Sequence, residues 1–183
     1  MKKKFKYDVC IVGGLGHVGL PLGILFASKR LKVCLNDIND KYAKLVTKGT
    51  MPFKEKKAAS ILKKVIKKKY LNVSLNPSVI SESKYIIITI GTLVDSNNKP
   101  LTKNFLSVIK EISNYLNNSQ IVIIRSSVYP GVCQKVYHLL NKKRITDIAY
   151  CPERIKQGFS IEELSKFPQI ISGFTKKAIK ESS

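Results

Sequence analysis

No two of the four cysteines form a C-x-x-C pair. Cys10, Cys34, Cys133 and Cys151 also stand at no zinc spacing with His17 or His138, so no metal site is expected. Reduced, buried thiols in a cytoplasmic protein are the expectation instead. Tryptophan is absent, and acidic residues are few: 12 Asp and Glu face 33 Lys and Arg, a formal net charge of +21. Such an excess raises a nucleic-acid or membrane partner. The lysines, however, are dispersed: Lys2 to Lys4, Lys56 and Lys57, Lys63 and Lys64, Lys67 to Lys69, Lys176 and Lys177. Arginine, the usual base reader, is rare beside lysine, and no aromatic cluster interleaves with the basic residues. Neither nucleic acid nor membrane is therefore expected as a partner. Internal repeats and long low-complexity tracts are missing too.

One apolar run near the start, YDVCIVGGLGHVGLPLGILFASKR, follows lysines and so resembles a signal or anchor at first sight. A secretory signal needs an unbroken apolar core and a small-x-small cleavage site. This run is interrupted by Asp8, His17, Pro21 and by Gly13, Gly14, Gly16, Gly19 and Gly23, and no such site follows. A spanning helix of about twenty apolar residues fits those glycines poorly. A buried strand turning through glycines into a helix fits better. YDVCIV is short and rich in β-branched residues, and Leu20, Ile24, Ala27 and Leu31 recur at helical spacing. Pro21 is tolerable near the first turns, with a local bend.

The remainder alternates. Strands are expected at LKVCLND (31–37), LNVSL, YIIITIGT (85–92), SQIVIIRSS, DIAYCPER and FPQIISG. Helices are expected at DKYAKLVTKG, closed by Gly49, and at KEKKAASILKKVIKKKY, with Ala58, Ile61, Leu62, Val65 and Ile66 on one face. Two more are expected at TKNFLSVIKEISNYLNN, through Phe105, Val108, Ile109, Ile112 and Leu116, and at VCQKVYHLLNK. VDSNNKP is a loop by composition, and TKKAIKESS begins a further helix. Strands alternating with helices imply an α/β fold, Rossmann-like and doubly wound, with a mostly parallel sheet covered on both faces.

Gly14-x-Gly16-x-x-Gly19 fits the dinucleotide fingerprint. The first glycine permits the tight turn, the second lets a pyrophosphate approach the backbone, and the third lets helix and strand pack closely. The helix N-terminus offers free N–H groups to the phosphates. His17 and Val18, between the second and third glycines, join them as candidate cofactor contacts. Asp37 ends the next strand about 20 residues on, where an acidic side chain accepts ribose hydroxyls and repels a 2′-phosphate. NAD is thus favoured over NADP; another nucleotide, such as a methyl donor, is the alternative.

In order along the chain, GLGHVGLPL, NDIN, TIGT, IRSSVYPG, AYCPERIKQG and EELSKFPQIISG resemble the NAD-binding domain of the UDP-glucose/GDP-mannose dehydrogenase family. AYCPERI is most similar to the branch that oxidises UDP-N-acetyl-mannosamine or related amino sugars. The resemblance implies oxidation of a nucleotide-sugar C6 alcohol to a carboxylate by two NAD molecules, through a thiohemiacetal and a thioester on an active-site cysteine. It implies that Gly14, Gly16, Gly19 and Asp37 hold the cofactor and that Thr92 lies beside it. It implies that Ser127, for a threonine of the family's S-T-V motif, positions the catalytic water and, like Thr92, also contacts the cofactor. It implies that Glu153 serves acid–base work and thioester hydrolysis. A hydroxyl and a carboxylate at the ends of neighbouring parallel strands are suitably placed for a proton relay through water. The structural alternatives are a helix-capping Ser127 and a Glu153 paired with Arg154 or a surface lysine.

Four positions depart from the family pattern: Gly13 for an apolar residue, His17 for an aromatic, Leu93 for a proline and Val132 for a threonine. His17 is read either as a phosphate contact or as a polar residue on the first helical turn. Family members are about twice as long, with a dimer-forming helix and a sugar-binding domain that carries the catalytic cysteine. Residues 1–183 are therefore expected to be a single NAD-binding domain without those parts, inactive alone. Its partners would be a UDP-sugar, with either a C-terminal-half polypeptide or a second copy. Apolar surface left uncovered beyond Ser183 would favour self-association. A stand-alone, non-catalytic NAD or nucleotide module is the competing expectation.

Overall fold

The computed structural model describes residues 5–92, 96 and 101–183. Lys2 to Lys4, Leu93 and, apart from Ser96, the expected loop VDSNNKP lie outside the described residues. The chain alternates β1 (Tyr7–Val12), α1 (Gly19–Ser28), β2 (Val33–Asn36), α2 (Asp40–Thr47), α3 (Ala58–Lys67) and β3 (Leu71–Ser74). A 3₁₀ turn, Pro77–Glu82, leads to β4 (Ser83–Ile88), α4 (Thr102–Ile112), β5 (Ile121–Ile124) and α5 (Val132–Asn141). Then come β6 (Ile148–Tyr150), α6 (Ser160–Glu163), β7 (Ser172–Gly173) and α7 (Lys176–Ser182).

The strands form one sheet in the order β3-β2-β1-β4-β5-β6-β7, parallel throughout except for the β6–β7 pair. Its first six strands follow the doubly wound dinucleotide-binding order, reversing direction at β1. β1 is apolar without polar alternation because both its faces are covered. Val9 and Ile11 pack with Leu20 and Ile24 of α1 and Leu62 and Val65 of α3. Cys10 and Val12 pack on the opposite side with Phe105 and Ile109 of α4 and Val136 and Leu140 of α5. Removing each fully buried Ile or Leu from water stabilises the fold by about 1.5–3 kcal/mol.

Several expected boundaries move. Leu31 lies outside α1, because the chain leaves the helix at Lys29 and Arg30 takes the left-handed conformation at φ 69°. Pro21 is the third helical residue, where its missing N–H had no intrahelical acceptor to lose. Leu116 falls beyond α4. Of DIAYCPER only Ile148–Tyr150 is strand; of FPQIISG only Ser172–Gly173 is, and it runs antiparallel. Past Tyr150 two backbone bonds to the end of β5 persist, Cys151 N–H to Ile124 O at 2.9 Å and Glu153 N–H to Arg125 O at 3.2 Å, and they bring Glu153 beside Arg125.

Candidate cofactor and catalytic site

β1 stops where Gly13 adopts φ +77°. A Cβ there would meet Thr89 and Ile90 backbone at 3.2 Å, so the departure at Gly13 has a conformational reason. The loop is fixed from below: Gly13 N–H and Gly14 N–H both donate to Asn36 O, at 2.9 and 3.1 Å. Thr89 Oγ1 lies 3.0 Å from the carbonyls of Val12 and Gly13. A Cβ on Gly14 would stand 2.7 Å from Ile11 O, and one on Gly19 2.6 Å from Gly13 O. Both glycines are thus demanded by the protein's own packing. Gly16 differs. A Cβ there would meet nothing closer than Gly13 O at 3.5 Å, an ordinary contact, and its φ is not positive. Among the described residues, nothing else comes within 4 Å of that position.

The N–H groups of His17, Val18 and Gly19 have no acceptor among the described residues, at the start of a ten-residue helix that no side chain caps. That is the arrangement that receives a phosphate. His17 is not on the first helical turn; it precedes the N-cap, Val18, and packs against Phe53 with ring centroids 4.0 Å apart and the rings tilted by 35°. Asp37 stands at the mouth of this loop. Its Oδ2 accepts the Leu15 N–H at 2.9 Å, and its Oδ1 accepts Ile38 N–H at 2.8 Å and Asn39 N–H at 3.0 Å. A carboxylate accepts about four hydrogen bonds, so one position remains for a ribose hydroxyl. Beside it Ile38 is 97% exposed, an apolar side chain in water at the edge of the loop.

A second group gathers at the ends of β4, β5 and β6. Thr92 Oγ1 donates to Ser127 O at 2.9 Å, and Ser127 Oγ to Glu153 O at 3.4 Å. Ser127 is exposed and caps no helix; α5 is capped by Gly131 at φ +84° without a side-chain bond. Val132 is buried as the first residue of α5. Glu153 pairs neither with the Arg154 side chain nor with a surface lysine. Its Oε2 accepts Arg125 Nε at 2.9 Å and Nη2 at 2.7 Å; its Oε1 accepts the N–H of Arg154 at 2.8 Å and of Ile155 at 3.2 Å. Arg125 is only 6% exposed, and its Nη1 also donates to Gln169 Oε1.

Arg125, Thr89 and Phe53 were not singled out from the sequence. IVIIRSS did contain a signal: an arginine closing a buried strand requires a partner for its charge. None of the four cysteines is activated as a nucleophile. Burial pushes every thiol up, Cys34 to about 12, the reverse of the shift a reactive thiolate needs. Among the described residues, no cluster of three or more His, Cys, Asp or Glu is placed to hold a metal ion, and no helix is long and apolar enough to cross a membrane.

Strand order, glycine turn and terminal carboxylate together define a Rossmann-type NAD-binding fold. Residues 7–183 match the model of the UDP-glucose/GDP-mannose dehydrogenase family, NAD binding domain, and the chain belongs to that family. It is 29% identical, over 97% of its length and 42% of the relative's, to a UDP-N-acetyl-D-mannosamine dehydrogenase of Methanococcus maripaludis. The Campylobacter jejuni enzyme of the same name is 29% identical over 92% of this chain and 44% of its own. Among solved structures, UDP-D-ManNAc dehydrogenase from Pyrococcus horikoshii superposes with a TM-score of 0.88 at 27% identity, covering 96% of this chain and 43% of that one. The chain thus spans less than half the length of these relatives.

Proposed function

We propose that this chain is the NAD-binding unit of a nucleotide-sugar 6-dehydrogenase, with a UDP-sugar of the N-acetyl-mannosamine type as substrate. Residues 1–183 would form that unit alone. The sugar pocket and the nucleophilic cysteine would come from the region its relatives carry beyond the matched part, in the same or a separate polypeptide, or with a second copy in a homodimer. The space before Gly16 carries this reading, because packing alone gives no reason for a glycine there.

Each side chain then has a task. The N–H groups of His17, Val18 and Gly19 receive the pyrophosphate, and the remaining acceptor position of Asp37 receives an adenosine-ribose hydroxyl. Exposed Ile38 lies flat against the adenine. Thr92 orients Ser127 through its carbonyl. Ser127 Oγ, exposed to solvent and in contact with Glu153 O, holds the attacking water beside Glu153. Acid–base work by Glu153 requires one of its four donors to let go, since both oxygens are engaged. NAD, when bound, supplies the hydride acceptor for oxidation at C6. A cytoplasmic setting accords with four free cysteines.

A second reading is a non-catalytic NAD or nucleotide module. Titrating NAD and NADP into wild type and Asp37→Ala tests the shared cofactor claim. NAD is expected to bind wild type at least tenfold tighter than NADP, with that preference lost in the variant. Equal binding of both by wild type would overturn the assignment of Asp37. Turnover of the UDP-sugar on adding the missing half separates the enzyme from the module.

A further inference from the structure

Between α2 and α3 the chain makes a short strap, residues 53–57, that touches the glycine loop on one side and the 158–162 segment beyond Glu153 on the other. Phe53 packs against His17 of the glycine loop, ring on tilted ring, and lies 6.4 Å, centroid to centroid, from Tyr42 in the first turn of α2. Two residues on, Glu55 turns inward and is only 8% exposed. Its Oε2 accepts the Gly158 N–H and the Ser160 hydroxyl, both at 3.1 Å. The Lys56 N–H donates to Gly158 O at 3.0 Å. Lys56 and Lys57 reach Glu162 at 3.3 and 2.8 Å, and together, Lys57 first, they hold its carboxyl below the usual carboxylate range. The segment so gripped is separated from Glu153 by Arg154, Ile155, Lys156 and Gln157.

Two features mark the strap as more than a spacer. Glu55 Oε1 is buried with no hydrogen-bond partner among the described residues, so an ionisable group sits inside the protein with only one of its oxygens engaged there. Lys57, which ends the strap, holds φ +64°, a left-handed conformation costing a non-glycine residue about 1 kcal/mol. Strain and unmet hydrogen bonding of this kind persist where the surroundings enforce them, and they concentrate at functional sites. The clasp is therefore not fully closed: the idle oxygen can take a further donor if the 156–160 turn tightens.

We infer that residues 53–57 couple the glycine loop to the 156–162 segment, with Glu55 as the positioning residue. A dinucleotide fixing His17 would fix Phe53, draw Glu55 against Gly158 and Ser160, and so order the 156–162 segment that trails from Glu153. By linkage, order in that segment strengthens dinucleotide binding by the same factor. This rests on the NAD assignment proposed above.

Hydrogen exchange on the full chain, with and without saturating NAD, tests it at the Gly158 amide. In wild type NAD should slow exchange there about tenfold, a typical coupling. In Phe53→Ala NAD should still bind by calorimetry, but slow Gly158 less than about twofold. Phe53→Leu, which keeps apolar volume and removes the ring contact, gives the same reading should the alanine variant unfold. In Glu55→Gln the Gly158 amide should exchange faster even without cofactor, while His17 and Val18 amides still respond to NAD. NAD that binds wild type without slowing Gly158 overturns the coupling alone, as does an undiminished effect in both Phe53 variants. No NAD binding to folded wild type overturns the coupling and the cofactor assignment together.

Discussion

Arg125 and Glu153 form a buried ion pair across the ends of β5 and β6, with Arg125 Nη2 2.7 Å from Glu153 Oε2 and side chains 7% and 9% exposed. The pair closes the sheet's C-terminal edge where Ser127 also stands. Its geometry is bidentate, from Nε and Nη2 to one oxygen, which a lysine cannot reproduce. Removing one partner strands the other charge in a dry environment. Arg125→Met should therefore cost about 3–5 kcal/mol by urea denaturation, and Arg125→Lys a substantial part of it. A double-mutant cycle with Glu153→Gln should show strong coupling; additive effects would mean that the two side chains act independently.

The thiols provide a second check, on burial. Cys10 and Cys34 are paired in register on β1 and β2, both fully buried, and desolvation is the first cause raising each. Cys133 on α5 is half-exposed. An aromatic disulfide reagent at neutral pH should modify Cys133 first and leave Cys10 and Cys34 silent until the protein unfolds. Early modification of either strand cysteine would contradict the packing described.

At the opposite edge of the sheet α7 is fastened by a clasp with a definite pH window. Glu181 accepts from the Tyr85 hydroxyl at 2.6 Å and from Lys84 Nζ at 3.0 Å. These bonds, Tyr85 first, hold the Glu181 carboxyl below its ordinary value of 4.5. The contribution of Glu181 is thus present above that value and disappears as pH falls below it. Lys84 is raised from 10.5, chiefly by Tyr85 and then Glu181, so its contribution is complete below 10.5 and disappears as pH climbs past it. Exchange protection of the α7 amides should be flat between these limits and decline on both sides. Lys177→Ala, removing the 2.5 Å pair with Asp147, should loosen the same helix without moving that window.

What was legible in the sequence was local. Gly14, Gly16, Gly19 and Asp37 lie within one β-α-β unit, so spacing alone announces them, and the strand runs declare themselves because both faces of the sheet are buried. What depended on distant partners stayed hidden. Arg125 meets Glu153 across 28 positions of sequence, and the contact of Glu55 with Ser160 spans 105. Nothing in PFKEKK announces a buried glutamate. Leu31 continued the helical period of α1 in letters, yet the left-handed turn at Arg30 takes it out of the helix. β7 is two residues long, and its pairing with β6 sets it rather than any propensity of its own.

The sharpest division in the glycine loop is between Gly14 and Gly19, which the chain's own packing requires, and Gly16, which it does not. Gly14→Ala and Gly19→Ala force a Cβ to within 2.7 Å of a backbone oxygen, and should lower the melting temperature strongly. Gly16→Ala meets only ordinary contact, so its melting temperature should lie within about 2 °C of wild type. Calorimetric titration of NAD into wild type and folded Gly16→Ala is the decisive measurement. Wild type should bind NAD and Gly16→Ala should bind it at least tenfold more weakly. Equal affinity in the two, or no heat from folded wild type, would contradict the placement of a dinucleotide at this turn.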